Sequence, residues 1–199
     1  MTSARALSVL VLVSNCACNG PLASGARPPL AARSQAETAG SASGRPGEEP
    51  RIPEAIAVAP PLRIIVKAIG RGVQIYGCAA KDGPLGTYAW SLSGPEADLF
   101  DDAGAKIGKH YAGPTWEAND GSKVVGSLKA KVDAPDGASI PWLLLDAKAT
   151  EAAGAFSQVK SIQRIDTAGG KAPSVGCDAA HAGAVVRVPY SAIYYLYGL

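Results

Sequence analysis

An all-β, mainly antiparallel single domain, sandwich-like or closed in part as a barrel, is the fold class that the sequence predicts. Three observations carry it. Short segments rich in Val, Ile, Leu and aromatic residues recur along the chain, separated by turns bearing Gly, Pro and Asp. Gly (23) and Pro (15) are frequent while Phe is scarce (2), which favours a turn-rich β fold over a helix bundle. Residues 123–132, KVVGSLKAKV, alternate cleanly: Val124, Leu128, Ala130 and Val132 fall on one face, and Lys123, Ser127, Lys129 and Lys131 on the other.

The domain is expected to occupy residues 62–199. Residues 1–18 have the layout of a secretory signal, with one Arg in MTSARA, the short apolar run LSVLVLVS and small residues after it. That run is too short to span a bilayer as a helix. Val13-Ser14-Asn15-Cys16 has the form of a lipidation box with Cys16 as acceptor, except that Asn15 stands where such boxes carry Gly, Ala or Ser. Lipidation at Cys16 and simple cleavage both stay open. Residues 19–61 are rich in Ala, Gly, Ser, Pro and Arg and carry few large apolar side chains. Such a segment buries too little to offset its ordering entropy, so it is expected to be a disordered tether.

Within the domain the elements follow in order. Residues 62–69 (LRIIVKAI) read as a strand, Gly70-Arg71-Gly72 as a tight turn and residues 73–78 (VQIYGC) as the return strand. Residues 81–84 form a loop and residues 88–92 (YAWSL) a third strand. Residues 98–100 and 106–111 flank a turn at residues 101–104, where Gly104 can take the left-handed conformation.

The stretch 110–126, HYAGPTWEANDGSKVVG, is the densest in chemically capable groups and holds a hairpin of its own. A two-residue turn at Asp120-Gly121 would set Glu117 opposite Val124, on the apolar side. A three-residue loop, Asn119-Asp120-Gly121, sets Trp116 opposite Val124 and Glu117 opposite Lys123, and is preferred. Residues 140–147 (IPWLLLDA) are a strongly apolar strand with Pro141 near its start. In residues 156–166, Phe156, Val159, Ile162 and Ile165 recur every three positions as in a helix, but length and context favour a strand. Residues 167–181 are a loop. The last strand, residues 185–197, places Val186, Val188, Tyr190, Ala192, Tyr194 and Leu196 on one face.

The four cysteines divide two and two. Cys16 and Cys18 belong to the leader; Cys78 and Cys177 belong to the domain and in an exported protein most often pair. The competing readings are two buried thiols or a redox pair, although the spacing of a CxxC motif is absent.

Six segments, GVQIYGC (72–78), the stretch 110–126, IPWLLL (140–145), SIQRIDTAGGKAP (161–173), GCDAAHAG (176–183) and RVPYSAIYYLYG (187–198), together resemble the domain-of-unknown-function 3455 family. The resemblance runs in the same order from about residue 62 to 198. It implies a secreted single domain and brings no established activity.

The formal net charge of +2, with Lys and Arg scattered, gives no field for nucleic acid. A membrane is expected only through an N-terminal lipid anchor. Gly70-Arg71-Gly72 lacks the third Gly of a dinucleotide fingerprint, and no GxSxG elbow occurs. The leading expectation is therefore an exported domain of the cell envelope, periplasmic, anchored to the outer membrane or extracellular. It would act as a non-enzymatic binding or structural module without a cofactor, whose partner is a small ligand or an envelope polymer. Its candidate contacts are Tyr111, Trp116, Glu117, Arg187, Tyr195 and Tyr197, amphipathic rings and charged groups of the kind that line ligand sites. The alternative is a metal-dependent or redox enzyme with a divalent ion held by His110, His181 and Asp178 or Glu117. It requires the two histidines to converge, which no HxH, HxxxH or HExxH spacing enforces.

Overall fold

The computed structural model describes residues 51–83 and 86–199. Eight strands follow one another, each antiparallel to the next: β1 (Arg63–Ala80), β2 (Tyr88–Phe100), β3 (Lys106–Tyr111), β4 (Thr115–Ala118), β5 (Lys123–Val132), β6 (Trp142–Glu151), β7 (Ser161–Gly169) and β8 (Val185–Gly198). β8 returns to pair with β1 and shuts the sheet into a ring. β1 makes this closure possible because its 18 residues pair with β2 on one side and β8 on the other, leaving no open sheet edge. The fold is therefore the barrel alternative of the all-β expectation, made irregular by bulges in β1–β2, β5–β6 and β7–β8.

The turn expected at Gly70-Arg71-Gly72 does not exist; β1 runs straight through it. Gly70 pairs with Leu99 and Ala192, and Gly72 with Ala97 and Tyr190. These glycines serve close approach rather than a reversal. A Cβ on Gly72 would lie 2.1 Å from the Glu96 carbonyl oxygen and 2.5 Å from Ala97 Cα, and one on Gly70 would lie 2.5 Å from the Tyr194 ring. Residues 88–92 and 98–100, expected as separate strands, are likewise one strand, with Ser93 bulged between the pairs Tyr76–Leu92 and Ile75–Gly94. The turn after β2 is as expected, with Gly104 at φ +82°.

The β4–β5 hairpin has the preferred register. Trp116 faces Val124, Glu117 faces Lys123, and Gly121 sits at φ +85° in the three-residue loop. The single apolar face expected for β5 is split by a bulge at Lys129. Val124 and Leu128 belong to the inner side, where Leu128 faces Leu145, whereas Ala130 faces Leu144 and joins Val132 in a cluster outside the ring. Because strand faces alternate with period two, one extra residue exchanges them.

The inner core contains Trp116, Phe156, Leu99, Ile162, Tyr194 and Leu196, all at most 1% exposed. Phe156 and Val159 do not continue β7. They sit in the β6–β7 connection and plug the lower end of the ring, the end where β2–β3, β4–β5 and β6–β7 also join. Asp120 holds this plug. Its carboxylate accepts from the Ser122 hydroxyl and amide and from the Ala155 amide, while Ser122 Oγ accepts from the Phe156 amide. These donors keep the Asp120 carboxyl below the usual carboxylate range.

The second cluster lies outside the ring. Ile56, wholly buried, packs with Ala134, Trp142, Leu144 and Ile165, flanked by Ile52, Val58, Ile193 and Tyr195. Residues 52–58, the end of the segment expected to be a disordered tether, are thus docked on the barrel around a single-turn helix at Glu54–Ile56. Gln163 Nε2 donates to the Ile56 carbonyl at 2.7 Å. The composition of residues 19–61 concealed this because Ile52, Ile56 and Val58 are too few to form a core alone; they complete one that β5–β7 already provides. The signal, the Cys16 lipidation box and residues 19–50 of the expected tether lie outside the described residues.

Cys78 and Cys177 form a disulfide, with Cα atoms 5.4 Å apart and a sequence separation of 99. In the chain-entropy model a loop of that size adds up to about 4.7 kcal/mol of stability. The bridge ties the long β7–β8 connection to the end of β1, beside backbone bonds from the Cys78 amide to Ala184 and from the Gly183 amide to Cys78.

Candidate functional site

The β3–β4 hairpin points His110 and Trp116 into the ring from directly paired positions. Their rings stack at 4.2 Å with planes 14° apart. Tyr194, reaching in from β8, meets both edge-on at 5.2 and 5.6 Å. The Thr115 carbonyl lies 2.8 Å from His110 Nδ1. Since a carbonyl only accepts, Nδ1 carries the proton. His110 is 2% exposed, and burial holds its pKa down to about 3, against the Thr115 carbonyl, which favours the charged form, and with a smaller push from the Arg164 charge. The imidazole is therefore neutral at ordinary pH. Tyr190 and Tyr194 share a 3.2 Å hydroxyl contact, and burial pushes both phenols up.

Above this aromatic layer a cavity of about 320 Å³ opens beside the short β3–β4 hairpin. Leu143, Leu145, Leu128, Leu92 and Pro114 supply apolar wall, and Trp116, His110 and Tyr194 line it as well. Leu92 and Leu128 are more than half exposed, which leaves apolar surface facing solvent. Gln74 and Arg164 also line the cavity. The Arg164 guanidinium is anchored by Nε and Nη2 on the Pro141 carbonyl, at 3.2 and 2.8 Å. Eight-stranded barrels are of the size whose interior either fills with side chains or holds one small ligand. Here Gln74, Tyr76, Ile140 and Tyr190 occupy much of the upper half as well, and the cavity is the space left beside the short β3–β4 hairpin.

The expected contact residues divide. Trp116 lines the cavity, with His110 stacked on it. Tyr111 and Glu117 come together on the outside of the ring, where the Tyr111 hydroxyl donates to Glu117 at 2.7 Å and Lys109 and Lys123 flank the carboxylate at 3.3 and 3.7 Å. The Tyr111 hydroxyl and its charged neighbours hold Glu117 below the usual carboxylate range, and Glu117 pushes the Tyr111 phenol up to about 12. Arg187 pairs with Glu96 at 2.8 Å on the outer surface. Tyr195 packs on the outer cluster and the Tyr197 hydroxyl donates to Gln163 at 3.0 Å, so the two form no open aromatic row. Ring closure is the reason: it turns Trp116, Tyr190 and Tyr194 inward, and residues 52–58 cover part of the outside around Trp142 and Tyr195.

His110 and His181 are not brought together as ligands. His110 is buried inside the ring, stacked on Trp116, whereas His181 is exposed in the β7–β8 connection with Nδ1 2.8 Å from Asp178, whose carboxylate also caps the single turn Ala179–His181. No group of three or more His, Cys, Asp or Glu side chains is arranged to hold a metal among the described residues. Sequence reasoning missed Gln74, Leu143, Leu145 and Arg164 as parts of one site. The signal was present for Arg164, which shares a strand face with Ile162 in SIQRID and is thereby directed inward.

This arrangement defines a class: a small antiparallel β-barrel domain with a disulfide-tied rim and an internal cavity. The chain belongs to the family described as Protein of unknown function (DUF3455), whose model matches residues 59–198. No curated protein and no solved structure matches it.

Proposed function

We propose that the domain is an exported binding module of the cell envelope that holds a small, mainly apolar ligand in the barrel cavity beside the β3–β4 hairpin. One observation carries the reading: the cavity of about 320 Å³ with leucine walls and a floor formed by Trp116, His110 and Tyr194. It sits at the small end of the range of ligand pockets, about 300–1,000 Å³, and has their usual makeup of apolar walls with a few fixed polar groups. The leader-like N-terminus and the Cys78–Cys177 bridge support an oxidising, exported setting.

Calorimetric titration with linear alcohols from hexanol to decanol tests it. Saturable binding that strengthens with chain length is expected, and is lost in a Leu143→Trp variant that fills the cavity while the far-ultraviolet spectrum is unchanged. No saturable binding across the series, or equal binding by the filled variant, overturns the reading.

A further inference from the structure

We infer that the ligand is an apolar monocarboxylate whose head group is seated by Arg164, an inference that rests on the cavity being the ligand site. Among the residues lining the cavity, Arg164 alone is formally charged, since His110 is neutral and no Asp or Glu lines it. Arg164 forms no ion pair among the described residues; its guanidinium donates to the Pro141 carbonyl and interacts with the Tyr194 hydroxyl, both uncharged. An exposed arginine without a carboxylate is ordinary, but this one lies half-buried among Leu143, Leu145, Trp116 and Tyr194. A guanidinium in such surroundings has lost part of its hydration without gaining a counter-charge.

The neighbours are chosen consistently with an incoming anion. The phenols of Tyr76, Tyr190 and Tyr194 and the imidazole of His110 all feel the Arg164 charge, and each is uncharged at neutral pH. None offers the guanidinium a negative charge, so a ligand carboxylate meets no anionic competitor. Gln74, 2% exposed, keeps its Nε2 without an acceptor among the described residues, and so does the Nε1 of Trp116. Unpaired buried donors are rare in folded proteins, and a carboxylate accepts through two oxygens. The wall beyond Arg164 is leucine and proline, which suits an aliphatic or aromatic tail rather than a second polar end. A guanidinium with two nitrogens fixed on Pro141 is already oriented, so little side-chain entropy is lost when the anion arrives.

The structural role of Arg164, bracing Pro141 at the start of β6, is separated from ligand recognition by the substitution Arg164→Gln. Glutamine keeps an amide donor for the Pro141 carbonyl and removes the charge. The experiment compares octanoate with octanol, which share a tail, on the full exported chain at pH 7 and low salt. Octanoate is expected to bind at least about tenfold more tightly than octanol, the effect of a charge-assisted hydrogen bond. In Arg164→Gln the two are expected to bind alike, at the wild-type affinity for octanol. Equal affinities in the wild type, or a preference for octanoate that survives the substitution, overturn the carboxylate inference and leave the cavity reading standing. Absence of saturable binding for both probes overturns the two together.

Discussion

The buried neutral His110 makes the stability of this domain dependent on pH above the range where carboxylates titrate. An unfolded histidine has a pKa of about 6.5, whereas burial lowers that of His110 to about 3 in the native ring. Above pH 6.5 both states leave the imidazole neutral and its titration contributes nothing to the pH slope. As the pH falls below 6.5 the unfolded chain takes up a proton that the native ring refuses, and stability is lost by about 1.4 kcal/mol per pH unit. Between pH 7 and pH 5 the loss is about 2 kcal/mol, and it approaches about 5 kcal/mol near pH 3, where the native imidazole is finally protonated. The paired carboxylates Glu117, Asp120, Asp136 and Asp178 are held below their usual range, so their stabilisation is present above about pH 4 and fades only as the pH falls further. Because His181 and the burial-raised Asp166 carboxyl are common to both proteins, the comparison with His110→Asn isolates His110 between pH 7 and pH 5. Urea unfolding followed by tryptophan fluorescence at the two pH values measures the loss, in wild type and in His110→Asn. Asparagine offers an amide donor near the place of Nδ1 for the Thr115 carbonyl but does not titrate. The variant is expected to be less stable overall, because it loses the stack on Trp116, yet to show about 2 kcal/mol less dependence on pH. An equal loss of stability in both proteins between pH 7 and pH 5 would refute the argument.

Two further predictions concern the ring and its outer cover. Gly72→Ala is expected to destabilise severely, by at least about 2–3 kcal/mol, because the new Cβ meets the Glu96 and Ala97 backbone rather than a movable side chain; Gly77→Ala, whose nearest neighbour is Ser93 Oγ at 3.8 Å, is expected to be tolerated, and thermal melts that fail to separate the two contradict the closure argument. Ile56→Ala is expected to cost about 2 kcal/mol, the low end for a large-to-small core substitution because residues 52–58 can undock from an intact barrel; hydrogen exchange should then rise at Ile56 and Ala57 before it rises in β1, and unchanged exchange there would show that the docked segment contributes nothing.

Local chemistry was legible in the sequence. The alternation in β8, the three-residue loop that faces Trp116 with Val124, the left-handed Gly104 and the Cys78–Cys177 pair all depend on side-chain period, turn residues or compartment, which act over a few residues or through cysteine count. Closure is different in kind. A glycine that opens a turn and a glycine that lets two strands approach look the same in one dimension, so the fate of Gly70 and Gly72 rested on Tyr194, Glu96 and Ala97 arriving from elsewhere in the chain. The bulge at Lys129 likewise depends on the β5–β6 register, and the docking of Ile56 on a surface that exists only once β5–β7 have assembled.

The candidate site shows the same division. That Trp116 belongs to the interior followed from its register opposite Val124, and the inward face of Arg164 was implicit in its spacing from Ile162. What those side chains do together was not. His110, Trp116, Arg164 and Tyr194 come from β3, β4, β7 and β8, and only the pairing of β8 with β1 encloses them around one cavity. The sequence by itself determined the strand-rich chain, the register of the β4–β5 hairpin and the partners of its disulfide, because these follow from short-range periodicity, turn residues and cysteine count. The tertiary structure alone decided which face became the inside, and with it which of the charged and aromatic residues meet, because burial is a property of the closed sheet and not of any one strand.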